Sequence, residues 1–433
     1  MKRFLFILFI ALIFTPMVSQ YFGYKNGNLG GYYVKIEKPE LSLKAFNSLE
    51  FQNKLEKYGK QQIAFADFFI KFSNQIRYTF LKSSNVKGVV VGKDNYLYYD
   101  YYINSYLGRD SVPQDTVSLV VKQLAQVRDS LKVKGVDLVI MIVPGKGSFY
   151  PEYFPKYYSR LKPEITNYEK YSKEFYKHNI NYLDFYAWIR SLKGKTKYRL
   201  FSNTGVHWGQ YACYLTIDSL TSYFDKKYAI NLPRLKISNV KESTNMIRSD
   251  DDAEKLMNVI KNIPDYPMPN VELKVDSAGK DKLRVLSIGD SYFYGLNDLG
   301  LNRSVFYESE FWFYFEYVDK PNNPTGIKYI IEYDDIKEEI EKHDVLLIVM
   351  TDGTLTTSPI SFARKLYYHY CQKPEYNEEF KDYVKKYTLA IKNNKNWLKN
   401  IELKAKKNGV SLEEAIDIDA KYMAIENLKK KYK

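Results

Sequence analysis

The chain has 433 residues, of which 45% are hydrophobic and 27% charged, and it carries a net charge of +14. This balance excludes wholesale disorder and, with one long apolar run, a polytopic membrane protein. Two cysteines and four histidines exclude a disulfide-dense scaffold and a Cys-rich metal site, while the excess of Lys and Arg favours acidic partners.

Lys2 and Arg3 precede an apolar run from Phe4 to Val18, the pattern of a signal anchor or a signal peptide over residues 1–22. Met17-Val18-Ser19 is a poor cleavage site, which favours an uncleaved anchor. Either reading exports the rest of the chain and removes nucleic acid as a partner. Residues 23–85 read as a polar lead-in with one helical stretch, 47–81. Two strands follow, Val89-Val90-Val91 and Tyr96 to Tyr99, around the turn Gly92-Lys93-Asp94-Asn95. Residues 116–134 have helical periodicity. Asp137 to Val143 is a continuous apolar run, as expected of a strand buried on both faces. A helix over 164–177, a short strand at 182–184 and a helix over 208–225 come next. Residues 230–281 interrupt the rhythm as an excursion over the site, with Ser249-Asp250-Asp251-Asp252 read as a cap for a helix over 253–260. Buried strands resume at 283–288, 329–331 and 345–349, with a helix over 335–342. Alternating buried strands and helices predict a doubly wound parallel α/β sheet over 86–360. The remainder, 361–433, reads as a polar helical extension, with a capping box at Ser411 to Glu414.

Ligands of such sheets sit outside the C-terminal strand ends. Three loops there carry reactive residue types. Gly289-Asp290-Ser291-Tyr292 directly follows a buried strand and opens a helix, so Ser291 is the candidate nucleophile. Backbone N–H groups at that turn, around Gly289 and Tyr292, are candidate oxyanion donors. His207, in Thr204-Gly205-Val206-His207-Trp208, is the candidate base, since it alone among the four histidines sits in a small-residue loop opening a helix. Pro144-Gly145-Lys146-Gly147 could offer N–H donors from Gly145 and a cation, Lys146, to an anionic group; its spacing is not that of a phosphate loop. Asp352, ending the last buried strand, faces the same cleft.

Together these pieces resemble the SGNH-hydrolase-like O-acetyltransferases of the alginate-acetylation type. The matching segments are Gly92 to Tyr98, Val143 to Lys146 with Tyr150 to Pro155, Thr204 to Trp208, and Gly289 to Tyr292. Their order is informative, because the His-Trp segment precedes Gly-Asp-Ser, whereas ordinary SGNH esterases place the serine first. The resemblance covers about residues 86–355. It implies an SGNH domain at the periplasmic face of the inner membrane, anchored by residues 4–20. It implies that Ser291 takes an acetyl group and passes it to a hydroxyl of an exported polysaccharide, acidic or neutral, with His207 as base. It implies a multi-spanning membrane acyltransferase as acetyl supplier, and no metal or cofactor.

The chain departs from the family in one place. The acid two residues before the histidine is replaced by Gly205. The expected substitute is Asp352, with Asp184 or a backbone carbonyl as alternatives; otherwise the site is degenerate. Two other functions therefore stand beside the transferase: a non-catalytic polysaccharide-binding or export subunit, and a secreted carbohydrate acetylesterase.

Overall fold

The computed structural model describes all residues except 25, 28, 32–35, 320–327, 330–335, 372–374, 409 and 432–433. Its strands are β1 (Val89–Val91), β2 (Leu97–Tyr99), β3 (Asp137–Val143), β4 (Tyr182–Asp184), β5 (Arg234–Ser243), β6 (Met268–Asp276), β7 (Arg284–Gly289), β8 (Tyr307–Phe313), β9 (Tyr317–Asp319), β10 (Lys328–Tyr329) and β11 (Val345–Thr351). Seven of them form one sheet in the order β10-β9-β8-β7-β11-β3-β4. The run β8-β7-β11-β3-β4 is parallel, while β9 and β10 are antiparallel. The sheet is therefore mixed, a correction to the all-parallel expectation; an antiparallel edge on a parallel sheet is a common compromise. Of the strand expected at 329–331, Tyr329 lies in β10, and Ile330 and Ile331 are outside the described residues.

The central strands are apolar on both faces because both faces are covered. Val139, Met141 and Val143 of β3 join Val285, Leu347 and Val349 in one core with the helices Gln210–Tyr228 and Tyr292–Leu299. Ile140 and Ile142 point the other way and are equally buried. Burying each such side chain stabilises the fold by about 1.5–3 kcal/mol.

The expected lead-in helix over 47–81 is three pieces, Leu43–Asn47, Glu50–Gln62 and Ala66–Ile76, the last running on as a wide turn over Arg77–Leu81. Phe65 breaks it with a φ of 64°, a left-handed step that hydrophobic spacing does not reveal. The interruption at 230–281 is a long antiparallel ribbon of β5 and β6, whose connection carries the short helix Asp252–Met257. At the start of the chain, none of the described residues of the helix Lys2–Tyr21 is buried. Its 20 residues span about 30 Å at 1.5 Å each, the thickness of a hydrocarbon core.

The chain divides into two compact units, residues 1–363 and 364–433. The second contains the helices Glu375–Asn393, Lys395–Asn408 and Leu412–Lys431, which enclose a small core of Ile391, Ile401, Ala405, Ala415, Ile416 and Ala420.

Candidate active site

Three adjacent parallel strands, β7, β11 and β3, end together, and the loops that follow them build the site. After β7 the chain turns at Asp290 and Ser291 into the helix Tyr292–Leu299. Asp290 is buried and locks this turn. One carboxylate oxygen accepts from Tyr292 N–H at 3.0 Å; the other accepts from Thr351 N–H, Thr351 Oγ1 and Thr354 Oγ1, each at 2.8 Å. The serine is thereby fixed to the end of β11.

Ser291 Oγ lies 2.8 Å from His207 Nε2, and His207 Nδ1 lies 2.5 Å from Asp252 Oδ2. A serine hydroxyl, an imidazole and a carboxylate are thus in one hydrogen-bonded line, half-buried. The second oxygen of Asp252 accepts from Val206 N–H at 2.8 Å, so one carboxylate grips both the imidazole and the backbone beside it. Tyr292 packs its ring against the imidazole, with centroids 5.0 Å apart, and donates its hydroxyl to Val206 O at 2.6 Å. Trp208 Nε1 donates to Tyr292 O at 3.0 Å, tying the histidine loop to the serine helix.

Gly205 explains where the acid comes from. A Cβ built on it would lie 2.4 Å from Ser249 O and 2.6 Å from Asp250 O. No side chain fits there, since the backbone of the ribbon connection fills that space. Ser202 Oγ donates to Asp250 O and accepts from Gly205 N–H, stapling the two segments. Two residues further on, Asp252 starts its helix and reaches the imidazole. Sequence reading took the acidic run 250–252 for a cap and so missed Asp252. Its signal was the coincidence of an absent acid at 205 with a surplus of acids in a segment laid over the site.

Several expected residues do other work. Asp352 does not touch His207. It is buried, accepts from Gly145 N–H at 2.6 Å and from Ser148 Oγ, and joins the loops after β3 and β11. Burial pushes its carboxyl up to about 6, against the lowering hydrogen bonds from Ser148 and Gly145. Asp184 caps the helix Phe185–Ser191 through Ala187 N–H. With its N–H held by Asp352, Gly145 has no free donor for an oxyanion. Tyr292 N–H is held by Asp290. Gly289 permits close approach of β11, since a Cβ there would lie 2.7 Å from Val349 O.

Lys146 is fully buried, so it does not meet substrate. Its Nζ donates to Asn203 O and Gly205 O, each at 2.6 Å, and lies over the rings of Tyr96 and Tyr98 at 5.3 and 5.4 Å. Burial drives its pKa well below the ordinary lysine value, opposed by the charges of Asp252 and Asp265. The lysine therefore clamps the histidine loop from beneath. Tyr96 in turn stacks on Tyr153 at 3.9 Å, and Tyr98 donates to Tyr150 O at 2.7 Å. All four motif segments noted in the sequence converge on this neighbourhood. In the aromatic-rich stretch 308–315, Phe311, Trp312 and Phe315 are buried and belong to the core, while Phe313 and Tyr314 are part-buried.

Residues 89–274 match the family described as the SGNH hydrolase-like domain of acetyltransferase AlgX. That span contains His207 and Asp252 and ends before Ser291. Two relatives are each named probable alginate O-acetylase AlgJ. The Pseudomonas putida protein is 26% identical over 33% of this chain and 36% of its own length. That of Pseudomonas syringae pv. tomato is 30% identical over 28% of this chain and 29% of its own. The matched stretches thus span about a third of those relatives. Among solved structures, the O-acetyltransferase domain of Pseudomonas putida AlgJ has a TM-score of 0.44 at 17% identity, covering 65% of this chain and 98% of that one. Pseudomonas aeruginosa AlgX has a TM-score of 0.43 at 13% identity, covering 64% and 66%. With motif order and family match in agreement, residues 89–274 are similar to the SGNH hydrolase-like domain of the AlgX acetyltransferase type.

Proposed function

We propose that this protein is an O-acetyltransferase that carries an acetyl group on Ser291 and passes it to hydroxyls of an exported cell-surface polysaccharide. The observation behind this reading is the line Asp252–His207–Ser291, with both hydrogen bonds in place. In the first half-reaction Ser291 Oγ attacks the acetyl carbonyl and its proton passes to His207 Nε2. The bond to the leaving group then breaks, and that group takes the proton from the imidazolium. In the second half a sugar hydroxyl attacks the acetyl-serine, gives its proton to Nε2, and leaves as the ester while Ser291 is restored. Asp252 holds the Nδ1 proton and stabilises the imidazolium. The N–H of Ser291, at the start of its helix, supplies an oxyanion donor.

The acetyl donor in this reading is a multi-spanning acyltransferase of the inner membrane. The helix Lys2–Tyr21 keeps the domain at the periplasmic face, close to that supplier. The charge of +14 favours an acidic polymer as acceptor. The test is intact mass of the full chain after exposure to an activated acetyl ester. An acetyl adduct on Ser291, lost in Ser291→Ala and His207→Ala, supports the reading. Three equally inert, folded proteins would favour the binding subunit. An adduct that turns over to water but never to a polysaccharide would favour an acetylesterase.

A further inference from the structure

The helix Ala66–Ile76 and its continuation Arg77–Leu81 are turned inside out. An amphipathic surface helix ordinarily lays its apolar stripe on the core and shows its polar face to water. Here Asn74, Gln75 and Tyr78 face the protein, while Ser73, Arg77 and Thr79 are exposed alongside the apolar residues. Asn74 is buried and donates to Met257 O at 2.7 Å; Gln75 Oε1 accepts from Ile260 N–H and Lys261 N–H; Tyr78 donates its hydroxyl to Asn95 Oδ1 at 2.7 Å. The residues four apart on the other side, Phe68, Phe72, Ile76 and Phe80, are all exposed, joined by Phe69. Phe80 is 77% exposed and Phe69 55%. Phe68 and Phe72 stack at 5.9 Å, so the patch is continuous along the helix. Isolated surface phenylalanines need no explanation, but an aligned row of them marks an interaction surface.

We infer that this aromatic row inserts into the interface of the lipid bilayer that the helix Lys2–Tyr21 enters, so that the domain lies on the membrane rather than hanging from it. The inference rests on the proposed anchoring of residues 4–20. Two observations choose lipid as the occupant. The same chain carries a helix long enough to cross a bilayer a short distance upstream. The charges flanking the row are Lys71, Arg77, Lys82 and Lys87 against Asp67, which suits anionic headgroups. Tethering by the upstream helix makes the second contact intramolecular, so even a modest surface affinity is realised.

The packing gives this contact a direction. The polar side of the aromatic helix is bonded to Met257, the last residue of the helix that starts at Asp252. Seating the row in lipid therefore holds the cleft within one helix of the headgroups, where an acetyl group handed across the membrane would emerge.

The test uses the full chain with Phe72→Cys, in a Cys371→Ser background, bearing an environment-sensitive dye. It is reconstituted in vesicles of phosphatidylcholine with phosphatidylglycerol, with and without nitroxide-labelled lipid. Blue-shifted emission that the nitroxide quenches is expected, weaker in phosphatidylcholine alone and reduced by adding Phe68→Ser and Phe80→Ser. Carbonate extraction of the same vesicles reports the anchor separately. A dye that stays solvent-exposed and unquenched overturns the inference, whether or not carbonate removes the chain. Quenching in a chain that carbonate does extract would keep the surface and discard the anchor.

Discussion

Replacing Asp252 by Asn isolates what the carboxylate does. The amide would keep the contact with Val206 N–H, which Asp252 Oδ1 accepts at 2.8 Å. Its NH2 would then stand where Oδ2 stands, 2.5 Å from His207 Nδ1. A donor there turns Nδ1 into an acceptor and moves the ring proton to Nε2, which faces Ser291 Oγ at 2.8 Å. The base is then already protonated on the side where it must accept. In a serine triad this change of tautomer lowers kcat by about 10⁴-fold, or roughly 5.4 kcal/mol of transition-state stabilisation. Asp252→Asn should therefore lose about three to four orders of magnitude in the rate of acetyl-ester turnover, with KM little changed and the melting temperature near that of the wild type. Asp352→Asn is the matched control. Its amide can still accept from Gly145 N–H and donate to Ser148 Oγ, so turnover should stay within about tenfold. Steady-state hydrolysis of a chromogenic acetyl ester reads both. If Asp252→Asn kept most of its activity while Asp352→Asn lost it, the assignment of the orienting acid would be wrong.

Gly205→Asp should lower acetyl-ester turnover, because its Cβ would strike Ser249 O and Asp250 O, and displacing Asp252 by about 1 Å costs on the order of 10²-fold. Circular dichroism of the same variant checks that the fold persists. Lys146→Met leaves the buried carbonyls of Asn203 and Gly205 without their donor and should cost roughly 2–4 kcal/mol in denaturant unfolding, with His207 loosened as a result. Asp250 gives a pH signature. Burial, with the charges of Asp251 and Asp252, pushes its carboxyl up to about 7, only partly opposed by Arg248. A carboxyl with a raised folded pKa holds its proton better in the native state, so its contribution is complete below pH about 4 and is lost as pH rises towards 7. Melting temperature should accordingly fall across that window, and Asp250→Asn should flatten the fall; an unchanged slope would locate the titration elsewhere.

The sheet was legible where chemistry and position coincide. Six apolar residues in a row at 138–143 can be satisfied only between two covered faces, and β3 is buried that way. Ser291 and His207 were legible because each opens a helix from a loop at the sheet's C-terminal edge. Asp252 was not, for a physical reason. Its carboxylate is 45 residues from His207 in the chain, and only the register of β5 on β6 carries it there. Lys146 misled in the opposite sense: a lysine in a glycine-rich turn reads as an anion binder, yet two backbone carbonyls and two tyrosine faces enclose it. Asn74 and Gln75 belong to the same class, since a polar residue facing inward is visible only once its partner at 257–261 is in place.

The space beside Gly205 admits one tenant. Either an acid side chain stands on residue 205, or the carbonyls of Ser249 and Asp250 occupy that volume and Asp252 serves from outside. The two arrangements exclude each other sterically, so neither can be reached from the other by a single substitution through a fully competent intermediate. Chains with a small residue at this position are therefore the ones in which to look for an acid in the segment between β5 and β6.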